Sequence, residues 1–265
     1  MDPLSALLLG LVQALTEFLP VSSSGHLVLG QALLGVQTSG AAFEVAVHFG
    51  TLLSVLVVFR SDIARLVEAV LRGGYRARWA EGDAELRLVV AILVGCLPAG
   101  LLGLLFAAEL EEAFDSSRVV CGALIATGVV LLASGRARPG EKDVSLGRAV
   151  LIGFAQAVAI IPGVSRSGST IATAMFLGVE RELAARYSFL LSLPVIAGAT
   201  VLQTWGLMAA PPNADMALAL ALGAGVSFVA GVGALVLLLG FVRRGWFAHF
   251  GWYCLAVGVT GLVLL

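Results

Sequence analysis

Two short stretches decide the fold: Gln13-Ala14-Leu15-Thr16-Glu17-Phe18-Leu19-Pro20-Val21-Ser22-Ser23-Ser24-Gly25-His26, and Gln156-Ala157-Val158-Ala159-Ile160-Ile161-Pro162-Gly163-Val164-Ser165-Arg166-Ser167-Gly168. Each interrupts an apolar run, Leu4–Leu34 and Gly147–Val179, with a proline and a serine-rich turn. The arm before each break is shorter than the roughly 20 residues a helix needs to cross hydrocarbon. Proline ends a helix, and neighbouring hydroxyls satisfy the backbone groups it frees. Both stretches therefore read as re-entrant hairpins that enter a membrane and return to the side they came from.

The rest of the chain agrees with a membrane setting. Of its 265 residues 59% are hydrophobic and 12% charged, and the mean hydropathy is +1.01. Soluble domains carry roughly 25% charged residues, so a soluble enzyme, a disordered chain and a nucleic-acid-binding domain are excluded. The net charge of -1 offers no attraction for polyanions. Cys96, Cys121 and Cys254 are scattered in apolar stretches and read as small buried hydrophobes. The first ten residues lack a basic segment, so no cleavable signal peptide is expected.

Six further runs read as crossings: Ala41–Phe59, Leu88–Ala108, Val119–Gly135, Tyr187–Ala214, Met216–Val242 and Gly245–Leu265. The expected fold is an all-α polytopic membrane protein, six transmembrane helices plus two re-entrant hairpins, in one integral membrane domain over 1–265. Lys and Arg concentrate on the cytoplasmic side of membrane proteins. Of the 16 basic residues, all but Arg118 and Arg166 fall in 60–87, 136–148, 180–186 and 243–244. Glu109, Glu111, Glu112, Asp115 and Asp215 fall on the other side. This separation holds if both hairpins return to their own side, and it puts both termini outside the cytoplasm. Trp79, Trp205, Trp246 and Trp252 read as interface anchors.

The two breaks align without a gap. Gly10, Gln13, Ala14, Val21, Ser22, Ser24 and Gly25 match Gly153, Gln156, Ala157, Val164, Ser165, Ser167 and Gly168, each pair at one constant offset. Residues 1–135 and 147–265 are thus expected to form two repeats. Each holds one hairpin and three crossings, an odd number, so their orientations are opposite. Such hairpin tips meet near the midplane, where helix N-termini direct N–H groups at a shared point that suits an anion.

The merged tips bring ionisable groups to membrane depth, where they are expensive and mark function. Arg166 sits among hydroxyls before an apolar arm, a pattern suited to a phosphate cradle. Gln13 and Glu17 are four apart on one helical face and can offer oxygens to Mg²⁺ or Ca²⁺ when a phosphate completes the site. His26 can protonate a leaving phosphate, activate a nucleophile or attack phosphorus. Ser23 and Ser24 can attack or bind oxygens, and the residues do not choose between Ser, His and water. Ser22, Ser24, Ser165, Ser167 and Thr170 are the expected phosphate-binding hydroxyls. Glu44 and His48, four apart on the neighbouring crossing, can support the site from behind or simply bond to each other. Inverted repeats with meeting hairpins are also transporter architecture, so a carrier or flippase for an anionic lipid or solute stands beside the enzyme reading.

The motifs Gln13-x-x-x-Glu17 leading to Ser23-Ser24-Gly25-His26, and Pro162-Gly163-x-Ser165-Arg166-Ser167-x-x-Thr170, resemble those of the undecaprenyl-diphosphatase family of the bacitracin-resistance type. The resemblance spans nearly the whole chain. It implies hydrolysis of a C55 polyprenyl diphosphate to the monophosphate carrier lipid and inorganic phosphate, serving peptidoglycan synthesis, with a divalent cation, Mg²⁺ or Ca²⁺. It implies Glu17, Ser23, His26 and Arg166 as catalytic residues. Gln13 stands where the family permits Glu or Gln, which weakens any metal site built on two carboxylates. The expected location is the bacterial inner membrane with the site facing outward. The expected partners are the lipid substrate, the bilayer and, as an open point, a second copy of the chain.

Overall fold

The computed structural model describes residues 1–36, 42–106, 109, 113, 116–138, 140–209 and 213–264, without the side chains of 32, 33 and 202–209. Glu111, Glu112, Asp115 and the Trp205 side chain, on which expectations were placed, lie outside the described residues. In chain order the helices are α1 (Pro3–Phe18), α2 (Ser23–Leu34), α3 (Ala42–Val58), α4 (Arg60–Leu71), α5 (Tyr75–Glu81) and α6 (Ala84–Leu105). There follow α7 (Ser117–Ser134), α8 (Leu146–Val158), α9 (Arg166–Phe176), α10 (Arg181–Ala209), α11 (Ala214–Arg243), a 3₁₀ turn (Phe247–His249) and α12 (Phe250–Leu264). No strand occurs among the described residues beyond one bridge pair, Lys142 with Val179.

Local chemistry sets the helix ends. Asp2 accepts from the Ser5 N–H with Pro3 at the first helical position, and Asp83, Ser145, Ser165 and Asn213 cap α6, α8, α9 and α11 in the same way. Each cap satisfies an N–H that the helix itself leaves open. Pro20 and Pro162 follow the ends of α1 and α8, as the breaks predict. The polar stretch 60–87 is not a plain loop. It holds α4, bent by 79° from α3, and α5. Val67, Val70 and Leu71 are exposed on α4 beside its charges, the pattern of a helix lying in a membrane interface.

Among the described residues five helices are long and apolar enough to cross a membrane: α6, α7, the first part of α10, α11 and the unit formed by the 3₁₀ turn and α12. The count reaches six when α3 and α4 are taken as one bent span. Large apolar side chains such as Leu104, Val229 and Val263 point outward. That is the face of a multi-pass membrane protein, whose surround is lipid.

The helices approach closely through small residues. A Cβ on Gly10 would lie 2.7 Å from the Gly223 carbonyl, and one on Gly251 would lie 2.6 Å from that of Gly128. Hydroxyls bond across the same seams: Ser227 donates to the Gly10 carbonyl at 2.9 Å and Ser54 to that of Phe228 at 2.8 Å. Small residues and interhelical hydrogen bonds hold helices together where lipid removes the hydrophobic drive. The resulting pairs are α1 with α11, α3 with α11 and α10, α6 with α8, and α7 with α12.

Candidate active site

The breaks after α1 and α8 are brought together. Glu17, in the last turn of α1, sends one carboxylate oxygen to Arg166, the first residue of α9, with Oε1 2.6 Å from Nη2. Its other oxygen, Oε2, accepts from Ser23 Oγ at 2.6 Å and from Gln13 Nε2 at 3.1 Å. His48 on α3 faces the same oxygen, its Nε2 3.7 Å away. Four elements therefore converge on one carboxylate. The Glu17 and Arg166 side chains are mostly buried, which keeps a pair of charges together far more firmly than at a wet surface.

Arg166 is supported on its other side. Its Cζ lies 6.0 Å from the centre of the Phe189 ring, a cation–π contact. Phe18 and Phe59 pack on that ring at 5.8 and 6.0 Å. Only one end of the guanidinium fork is used by Glu17. Nη1 is buried and bonds to nothing among the described residues. Buried donors without partners are rare in folded proteins. This one marks a place for an acceptor, and a phosphate oxygen matches the planar fork.

The turns themselves are built alike. Ser22 and Ser165 each place Oγ toward the N–H three residues on, at 3.5 Å for Gly25 and 3.1 Å for Gly168. Each also faces the hydroxyl two residues on, Ser24 at 3.3 Å and Ser167 at 3.4 Å. They differ in backbone: Ser22 takes a left-handed φ of 70°, the one non-glycine residue to do so among those described. A β-carbon is strained there, and such strain collects at functional turns. Thr127 on α7 locks the second turn, donating to the Gly163 carbonyl and accepting from the Ser165 N–H, both at 3.2 Å.

Of the five expected phosphate-binding hydroxyls, four are engaged in holding the turns, Ser22 among them through the Gly25 N–H. Ser165 caps α9. Ser167 lies 3.5 Å from the Leu19 carbonyl. Thr170 is buried against Ser188 at 2.5 Å and donates to the Arg166 carbonyl at 2.8 Å. Ser23 and Ser24, at the start of α2, are partly open. His26 is joined neither to Glu17 nor to Arg166 by a direct bond among the described residues. Its Nδ1 lies 2.8 Å from the Ser22 carbonyl and its Nε2 2.8 Å from the Tyr253 hydroxyl.

For a divalent cation the protein supplies a sparse donor set. Among the described residues no cluster of three or more His, Cys, Asp or Glu is present. Gln13 Oε1, however, is buried without a hydrogen-bond partner, beside Glu17. An amide oxygen and a carboxylate suit a hard cation only when substrate oxygens and water fill its remaining positions. The residues fit a shared cation of that kind and not a resident, fully caged one.

Sequence reasoning missed Thr127, Phe189 and Tyr253. None lies in a polar motif, and each reaches the site only through tertiary packing. His48, left open between supporting the site and pairing with Glu44, faces Glu17. Its own Nδ1 bonds to the Glu44 carbonyl at 2.8 Å.

Known proteins of the same kind are numerous. A family model described as bacitracin resistance protein BacA matches residues 6–260. An undecaprenyl-diphosphatase of Salinibacter ruber is 46% identical over 98% of both chains. Proteins of the same name from Korarchaeum cryptofilum and Rubrobacter xylanophilus are each 43% identical over 100% of both chains. With both break motifs inside a match that runs nearly end to end, the chain belongs to the BacA family of bacitracin resistance proteins.

Proposed function

We propose that the chain hydrolyses undecaprenyl diphosphate to undecaprenyl phosphate and inorganic phosphate, returning the lipid carrier to peptidoglycan synthesis in the bacterial inner membrane. The observation that carries this reading is the half-used Arg166 fork. One end is fixed by Glu17 and the other is buried and open, at the meeting of two turns rich in hydroxyls. The names and identities of the relatives support the same substrate.

The residues then divide the work. Arg166 Nη1 and the N–H groups at the start of α2 receive the terminal phosphate. Ser23 already donates its hydroxyl proton toward Glu17 Oε2 in a short, charge-assisted bond. Glu17 takes that proton as Ser23 Oγ attacks phosphorus, and undecaprenyl phosphate leaves. His26 stands one helical turn beyond Ser23 on the same face of α2. With Nδ1 held by Ser22, its Nε2 is the nitrogen that takes a proton from the water releasing phosphate from Ser23. Gln13 Oε1 and Glu17 would hold Mg²⁺ or Ca²⁺ together with the diphosphate. Such a cation, when bound, neutralises phosphate charge.

The finer fold belongs to the same proposal: 1–135 and 147–265 form inverted repeats, and the α1–α2 and α8–α9 pairs are re-entrant hairpins. Its support is geometric. α1 and α8 start at residues 3 and 146, and α2 and α9 at 23 and 166, which is the offset of the repeated motif. α1 and α8 are both apolar and short. In this arrangement the first hairpin enters from outside, so the site opens outward. Glu17, Ser23, His26 and Arg166 all come from one chain, and the proposal needs no second copy.

The test is phosphate release from undecaprenyl diphosphate by purified protein in detergent, with Mg²⁺ or Ca²⁺ and then with EDTA, beside Arg166→Ala. We expect metal-dependent release that the substitution lowers by at least a hundredfold while the protein stays folded. No release by folded wild-type protein over several metals would instead favour a lipid carrier on the same fold.

A further inference from the structure

We infer that Tyr253 is a positioning residue for His26, and that it ties release of the imidazole to occupation of an apolar groove by the substrate's prenyl tail. This rests on the phosphatase reading and adds to it a way in which the tail is read.

The hydrogen-bond geometry fixes the resting state of the ring. A backbone carbonyl only accepts, so His26 Nδ1, 2.8 Å from the Ser22 oxygen, carries the proton. In the neutral ring Nε2 is then the bare nitrogen, and the Tyr253 hydroxyl at 2.8 Å donates to it. The two rings also lie nearly parallel, 13° apart with centroids at 5.6 Å. The lone pair needed for chemistry is thus covered by a side chain 227 residues away. The contact is not an accident of a loose terminus. Gly251 and Gly258 seat α12 against Gly128 and Cys121 of α7, and Cys254, next to Tyr253, is buried against the Pro20 carbonyl of the first turn.

Tyr253 also lines a groove of about 660 Å³, bounded by Leu15, Leu19, Phe241, Trp246 and Phe250 among others. The lining is mostly apolar, with Thr16 and His249 as its other polar side chains, and two elements serve both the groove and the site. α1 contributes Leu15 and Leu19 to the groove and Glu17 to the site, and α12 contributes Tyr253 to both. A diphosphate held by Arg166 whose tail lies in this groove brings its first isoprene units against the tyrosine ring. Moving the ring withdraws the hydroxyl from Nε2 and leaves that nitrogen for the water step, which takes place while the undecaprenyl phosphate just formed still keeps its tail in the groove. A diphosphate with no tail, or a short one, leaves His26 covered.

The experiment compares undecaprenyl diphosphate with a five-carbon prenyl diphosphate, in wild-type protein, Tyr253→Phe and Leu15→Trp. Tyr253 is half-exposed, and the phenylalanine keeps the ring while removing only the hydroxyl. Losing one neutral hydrogen bond corresponds to a change of about three- to tenfold. We expect Tyr253→Phe to raise kcat for the short substrate by about that factor and to leave kcat for the long one within twofold, so that the preference for a long tail shrinks. Leu15→Trp, which fills the groove, should raise KM for the long substrate and leave the short one unchanged. An equal loss on both substrates in Tyr253→Phe would make the tyrosine a plain prop, and an unchanged ratio would remove it from the mechanism. An unaltered KM in Leu15→Trp would give the groove to some other lipid and overturn the coupling. Release from neither substrate by folded wild-type protein would sink the phosphatase reading itself, a failure distinct from these.

Discussion

At the scale of single residues, Glu17 holds two jobs that a substitution separates. It neutralises a mostly buried arginine and it accepts the Ser23 proton. Glu17→Gln keeps the shape and loses both. Removing one member of a buried ion pair costs about 3–5 kcal/mol, and losing a general base lowers turnover about 10²–10⁴-fold. A fall in Tm together with a loss of phosphate release is therefore expected. Ser23→Ala removes only the attacking oxygen. It should lower turnover by a similar factor and leave the melting temperature within a few degrees. If Ser23→Ala retains more than a tenth of wild-type turnover, water activated by Glu17 is the nucleophile. Gln13, Glu17, Ser23 and Arg166 were legible in the sequence because they are polar residues inside apolar runs, in motifs that repeat. Tyr253, Phe189 and Thr127 were not. Each is an ordinary aromatic or hydroxyl residue in a membrane helix, and what gives it a role is a neighbour far away in the chain. Ser165 and Thr170 carry a second role that their motif does not announce: one caps a helix and the other bonds across to Ser188.

At the scale of elements, the glycine seams carry the architecture. A Cβ on Gly10 meets the Gly223 backbone at 2.7 Å, closer than atoms tolerate, and backbone cannot swing away as a side chain does. Gly10→Val should force α1 from α11 and break the Ser227 bond to the Gly10 carbonyl. Overpacking of this kind costs about 1–3 kcal/mol. Gly100 serves as control, with open space where its Cβ would stand. Thermal unfolding in detergent should drop for Gly10→Val and stay unchanged for Gly100→Val. A similar Tm for both would mean that the seam relaxes freely. The spans of α6, α7 and α11 were readable from hydropathy alone. The helices α4 and α5 were not, because charge density in 60–87 hides the apolar face that α4 presents between its arginines.

For the whole molecule, the proposed inverted repeat makes a prediction about sidedness. With the basic residues of 60–87, 136–148, 180–186 and 243–244 in the cytoplasm, both termini face outward. Single cysteines placed at residue 3 and residue 262, in a background without Cys96, Cys121 and Cys254, should react with a membrane-impermeant maleimide added to intact spheroplasts. A cysteine at residue 138 should react only after the membrane is opened. Labelling of residue 138 in intact spheroplasts would refute the arrangement. The proposed repeat rests on two motifs that share their spacing. What the sequence withheld is how the halves embrace. The short helix α1 packs on α11 of the second half, and α8 packs on α6 of the first.

That exchange bears on how the protein is made. Gly10 and Ser227, which bond across the α1–α11 seam, are 217 residues apart. Ribosomes add roughly 5–20 residues per second, so the first arm waits roughly 10–40 s for its partner to be synthesised. For most of that interval, until Arg166 is made 149 residues after it, Glu17 is a carboxylate in a short helix without its partner. Two separately translated halves would have to meet in the bilayer before α1 could pack on α11 or α8 on α6, so each should be unstable and quickly degraded when expressed alone.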